Sequence, residues 1–170
     1  MDPFYRWIEQ SWLSTWIGQS DSMFAFPLII TFHTLGMGLL VGTSAAINFR
    51  ILGFARHIPL ARMDRFFPVI WIGLVMNVIS GILLLIAYPT KALTNPLFYI
   101  KLTCIGLSVW VLLIIRRSVL LDPLIDQTPL SAKARRLAVL SLVLWISSIT
   151  SGRLLEYTYT RLMVDFSDRT

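Results

Sequence analysis

FAFPLIITFHTLGMGLLVGTSAAINF, residues Phe24–Phe49, runs for 26 residues without a charged side chain. That exceeds the roughly 20 apolar residues a helix needs to cross a bilayer. His33 is the one ionisable group within it. An ionisable residue inside a span is costly, so it marks a functional site by default and calls for a named partner. Three further stretches repeat the pattern. Phe67–Tyr88 has no charge, Pro96–Ile115 carries only Lys101, and Leu137–Tyr157 carries Arg153 and Glu156 near its end. Short connections make consecutive spans antiparallel neighbours. The expected fold is all-α, a single-domain integral membrane four-helix antiparallel bundle with spans at 24–49, 67–88, 96–115 and 137–157.

Composition agrees. Of 170 residues 56% are hydrophobic and 14% charged, against roughly 45–50% and 25% in soluble domains. The net charge of +6 does not point to nucleic acid, because the basic residues sit in loops beside apolar spans. The first loop holds Arg50, Arg56, Arg62 and Arg65, and the third holds Arg116, Arg117, Lys133, Arg135 and Arg136. The second loop has only Lys91, and the N-terminal segment only Arg6. By the positive-inside rule, loops one and three are cytoplasmic and both termini periplasmic. The expected location is a bacterial inner membrane, multi-pass. With one cysteine, Cys104, no intrachain disulfide is possible.

Before the first span, Asp2-Pro3 reads as a helix cap followed by proline in the first turn. Phe4, Ile8, Trp12 and Trp16 recur every four residues until Gly18. This predicts an interfacial amphipathic helix over 3–18, lying in the outer headgroup layer. A lid over an outward-facing cofactor or quinone site is the sharper alternative.

Depth links the polar residues. At 1.5 Å per residue, His33 lies roughly 14 Å from the outer end of its span, and Asn77 and Met76 reach a similar level. Lys101 and Arg153 fall within roughly 6–8 Å of the outer ends of spans three and four. An axial nitrogen at iron depth, with cations nearer the surface for propionates, is what a haem along the bundle axis requires. Met37, one turn beyond His33, and Met76 are candidate sixth ligands. Each has a plainer alternative. His33 can hydrogen-bond Asn77 or Ser80 across helices, the cations can snorkel to headgroups, and methionine more often fills space than ligates. Gly36, Gly38 and Gly42 form a small-residue stripe, read either as close helix packing along Gly38–Gly42 or as room for a macrocycle.

H-T-L-G at His33–Gly36, R-I-L-G at Arg50–Gly53, N-P-L-F-Y-I-K at Asn95–Lys101 and S-G-R at Ser151–Arg153 with Tyr157 resemble a family of small bacterial four-helix inner-membrane proteins. The resemblance spans Phe24 to Tyr157. Those proteins place a second histidine where the third helix meets the cytoplasm; here that place reads Ile115-Arg116-Arg117. A looser resemblance reaches the group of the haem-containing protoporphyrinogen oxidase and the copper-resistance membrane domain, which pairs a first-helix histidine with a lysine early in the third helix. That likeness implies His33 as axial ligand to haem b and Lys101 as a cofactor-facing cation. The aromatic first-helix ending of that oxidase is missing, so its reaction does not carry over.

Three functions stand open. The first is a b-type haem protein, serving electron transfer or quinone-linked redox in a larger complex. The second is a non-catalytic accessory subunit packing against other membrane subunits. The third, a transporter or copper-handling module, is disfavoured because soft-ligand clusters are missing and spans one to three hold no carboxylate. No nucleophile–base constellation marks an enzyme.

Overall fold

The computed structural model describes residues 10–19, 22, 24–127 and 129–167. It is all-helical. In chain order come α1 (Trp12–Gln19), α2 (Phe26–Leu52), a 3-10 helix (Leu60–Phe66) continuing into α3 (Phe67–Ala87), the short α4 (Pro89–Leu93), α5 (Pro96–Ile115) and α6 (Ala132–Ser167). A π-helical turn, Arg116–Leu120, extends α5. Four of these helical stretches are long and apolar enough to cross a membrane, and they pack together as the expected bundle.

Local sequence explains the helix ends. Proline lies in the first turn of α2, α3, α4 and α5, where its missing N–H costs nothing. Asn95 caps α5, its side chain accepting from the Leu97 amide at 3.0 Å. That is the structural content of the Asn95-Pro96 pair. The R-I-L-G segment ends α2 through Gly53 at φ +106°, whose N–H bonds the Arg50 carbonyl. Only glycine takes that left-handed geometry freely.

Boundaries shift in instructive places. α2 runs to Leu52, past the expected Phe49, because Arg50 need not leave the helix: it turns back to donate to the Ile58 and Arg56 carbonyls. α6 starts at Ala132, before the expected Leu137, as its opening Ala-Lys-Ala-Arg-Arg turn can extend into water. The described part of the amphipathic helix, α1, docks on the end of α3. Ile17 is buried and the Ser14 hydroxyl donates to the Ala87 carbonyl at 3.4 Å, while Trp12 stays exposed. Residues 3–9 of the expected 3–18 helix lie outside the described residues.

The spans form two hairpins, α2–α3 and α5–α6, joined by α2 against α6. Antiparallel register across that joint is set by two buried bonds, Asn48 Nδ2 to Ser141 Oγ at 2.9 Å and Trp145 Nε1 to Ser44 Oγ at 3.0 Å. The main core, including Ile47, Ile51, Phe67, Leu112 and Ile115, fills the half of the bundle next to the arginine-bearing loops, the basic end. Towards the far end packing thins. No residue of α5 from Pro96 to Leu107 is buried, and in α3 only Ser80 is buried between Leu74 and Ile86. α3 and α5 touch at most marginally.

Candidate functional site

His33 owes its surroundings to a close helix crossing one turn away. Gly36 of α2 and Gly73 of α3 face each other. A Cβ on Gly73 would come within 2.7 Å of the Leu40 amide nitrogen, and one on Gly36 within 2.8 Å of the Met76 Cβ. The stripe expected to make this contact does not: nothing lies within 4 Å of a Cβ on Gly38 or Gly42, and both are exposed. Gly36 and Gly73 are the small residues that let the backbones meet.

That crossing brings α3 polar groups onto the histidine. Asn77 Nδ2 donates to the His33 carbonyl at 3.2 Å and sits 3.5 Å from the Gly73 carbonyl. His33 Nδ1 lies 2.9 Å from Ser80 Oγ, and the Ser80 hydroxyl also reaches the Met76 carbonyl at 2.5 Å. A serine hydroxyl has one proton. Given to the Met76 carbonyl, it leaves Ser80 to accept from His33 Nδ1–H. This network assigns the Nδ1–H tautomer and places the lone pair on Nε2. Among the described residues Nε2 has no hydrogen-bond partner. Beside the ring is Gly81, whose Cβ position is 3.7 Å from the imidazole Cε1.

The second hairpin contributes Lys101. Its aliphatic stem and ammonium lie across α6 at Gly152, with Cδ, Cε and Nζ each 3.6 Å from the point a Cβ would occupy. Lys101 on α5 and His33 on α2 both lie towards the far end of the bundle, away from the basic loops. No described residue forms an ion pair or hydrogen bond with the ammonium. Among the described residues, Lys101 is a half-buried cation without a counter-charge.

The other expected members go elsewhere. Arg153, next to Gly152, turns to the exposed face shared with Ile146 and Ile149, so it does not join Lys101. Met76 is held in the α2–α3 seam opposite Gly36, a turn nearer the basic end than His33. Met37 is half-buried on α2. Asn77 spends its amide on backbone carbonyls and positions the α2 backbone. His57, the chain's second histidine and not a candidate for this site, is exposed in the basic loop. Among the described residues no three of His, Cys, Asp and Glu come together.

Sequence reasoning missed the Ser44–Trp145 and Asn48–Ser141 layer, and the role of Gly73, Gly81 and Gly152. Glycines inside apolar spans were the available signal, but which of them face a neighbour depends on helix rotation. Compared with protein-family models, curated proteins and solved structures, the chain matches none.

Proposed function

We propose that this chain is a b-type haem-binding subunit of a membrane redox complex, in which His33 Nε2 would hold the iron. The observation that carries the reading is the His33–Ser80 bond. A histidine that ligates a metal donates its other ring N–H to a neighbour, which fixes tautomer and ring orientation. The donor set fits the group in two further respects. Lys101 is a cation with no anionic partner among the described residues, at a level suited to a propionate, and Gly81 and Gly152 keep both helices low beside it. Bound there, haem would supply one-electron transfer, with a quinone or a neighbouring redox subunit as exchange partner. Ser80 holds the imidazole, Asn77 holds the helix backbone that carries it, and Lys101 anchors the carboxylate edge. Arg153 faces outward and is not part of this site. The positive-inside rule applied to the arginine-rich loops supports a bacterial inner membrane with the basic end cytoplasmic and both termini periplasmic.

The test is a reduced-minus-oxidised optical spectrum of protein purified from its native membranes. Haem b bands are expected in the wild type and lost in His33→Ala. Full occupancy in His33→Ala, or a colourless wild type, overturns the reading. A second reading draws on the same bond: His33 and Ser80 can serve purely as an interhelical link in an accessory subunit. It expects a colourless bundle in which His33→Asn folds and assembles normally.

A further inference from the structure

At the basic end, away from His33, the turn closing α2 and the segment before α6 enclose a concavity of about 240 Å³. Arg50, Arg56 and Arg135 line it together with one carboxylate, Asp126. That carboxylate is already committed. Its oxygens accept from the Leu60 amide at 2.7 Å and the Ala61 amide at 3.3 Å, capping the 3-10 helix. Among the described residues it forms no salt bridge with any of the three arginines. Two of the arginines are also fixed from behind: Arg50 donates to the Ile58 and Arg56 carbonyls, and Arg56 Nε to the Gly53 carbonyl at 3.3 Å. Gly53, in its left-handed turn, lets the Arg56 guanidinium fold back over it; a Cβ there would lie 3.3 Å from Nη2. Guanidinium groups held this way keep free N–H donors in a fork suited to phosphate.

Arg135, with Arg136 beside it, also borders a second, shallow concavity of about 430 Å³, which runs along the exposed face of α6 past Val139, Leu140 and Val143. Beyond the two arginines its walls are apolar, and they lie within a stretch long and apolar enough to span a membrane. A basin with net positive charge therefore opens onto an apolar track that starts at the shared arginine and runs towards the bilayer centre. One ligand matches both parts. We propose that this end of the molecule binds an anionic phospholipid, with the phosphate between Arg56 and Arg135 and an acyl chain on the Val139–Val143 face. Basic pockets beside membrane helices recognise anionic headgroups in this way. A soluble anion would leave the apolar track unused, and a zwitterionic lipid would leave the charge of the basin uncompensated.

The experiment is native mass spectrometry of the detergent-solubilised full chain titrated with phosphatidylglycerol, or with phosphatidylcholine of the same acyl chains. Wild type should retain phosphatidylglycerol preferentially. Arg56→Gln and Arg135→Gln should each weaken it about fivefold, and Val143→Glu should weaken it without touching the basin. Arg117→Gln, which removes an exposed cation at the same end outside the basin, should leave retention unchanged. Equal retention of both lipids overturns the proposal. So does an Arg117→Gln loss as large as that of Arg135→Gln, which would mean general surface electrostatics. Displacement by glycerol phosphate as effective as by the lipid overturns it too, in favour of a soluble anion. Each variant is read beside its thermal unfolding midpoint, and Arg135, exposed and without a described side-chain hydrogen bond, keeps the test open should Arg56→Gln fail to fold.

Discussion

Lys101 is the residue whose energetics separate a structural from a ligand-binding role. An ammonium within an apolar span is costly even when its stem snorkels, and here no described carboxylate offsets it. Replacing it with methionine keeps the volume and removes the charge. Lys101→Met should therefore stabilise the cofactor-free protein, by about 1 kcal/mol given its position near a helix end, while lowering retention of an anionic cofactor. Unfolding midpoints with and without the cofactor measure both signs. A stability loss in the cofactor-free form would show that Lys101 has a counter-charge within the protein. At this scale the sequence was informative: the level shared by His33 and Asn77 follows from the rise per residue. Arg153 shows the limit. Depth gives its level, but a rotation of 100° from Gly152 decides that it faces outward, and no composition reveals that.

Among elements, α2 and α3 cross closely at Gly36 and Gly73, and four glycines test the crossing. Gly36→Ala and Gly73→Ala place a methyl against backbone or Cβ atoms at 2.7–3.0 Å, which cannot swing aside. The helices must part, at a cost of about 2 kcal/mol, and the His33–Ser80 bond should lengthen with them. Gly38→Ala and Gly42→Ala meet open space and should be neutral, or stabilising by up to about 1 kcal/mol through helix propensity. Unfolding titrations of the four variants give the comparison; equal costs at Gly36 and Gly42 would contradict this crossing. The G-x-x-x-G at Gly38–Gly42 was legible as a small-residue motif, yet the partnered glycine is Gly36. A motif states that close packing is possible on some face. Only the partner helix, here carrying Gly73, says which.

Across the whole molecule the two hairpins are clasped at the basic end. Arg116, at the end of α5, meets Asp64 of the 3-10 helix with Nε to Oδ1 at 2.6 Å and Nη2 to Oδ2 at 3.3 Å, and its guanidinium stacks 4.5 Å from the Phe67 ring centroid. The two side chains are 34% and 30% exposed, so screening limits the pair. Asp64→Asn should cost about 1 kcal/mol, a cost that shrinks as salt rises. Arg116→Gln should cost more, because it also removes the contact with Phe67. Denaturation at low and high ionic strength checks both, and salt-independent losses would argue against a charge-based clasp. With the basic end clasped and its core full, relative movement of the hairpins is easiest at the far end, where His33 and Lys101 lie.

By itself the sequence determined the class and the layout. Four apolar runs of sufficient length, two of them without any charge, with arginine-rich first and third loops between them, leave few options to a chain whose backbone must satisfy its own hydrogen bonds in lipid. Proline, asparagine and Gly53 set where helices begin and stop, because those are local conformational preferences. Helix rotation and pairing were left to the tertiary structure. In an apolar span nearly every face is apolar, so hydrophobic patterning, which orients helices in water, carries almost no information about which side faces a neighbour. That is why Ser80 accepting the His33 hydrogen bond, Lys101 lying over Gly152, Arg153 turning outward and Arg135 joining a basin to an apolar track were decided only when the helices packed.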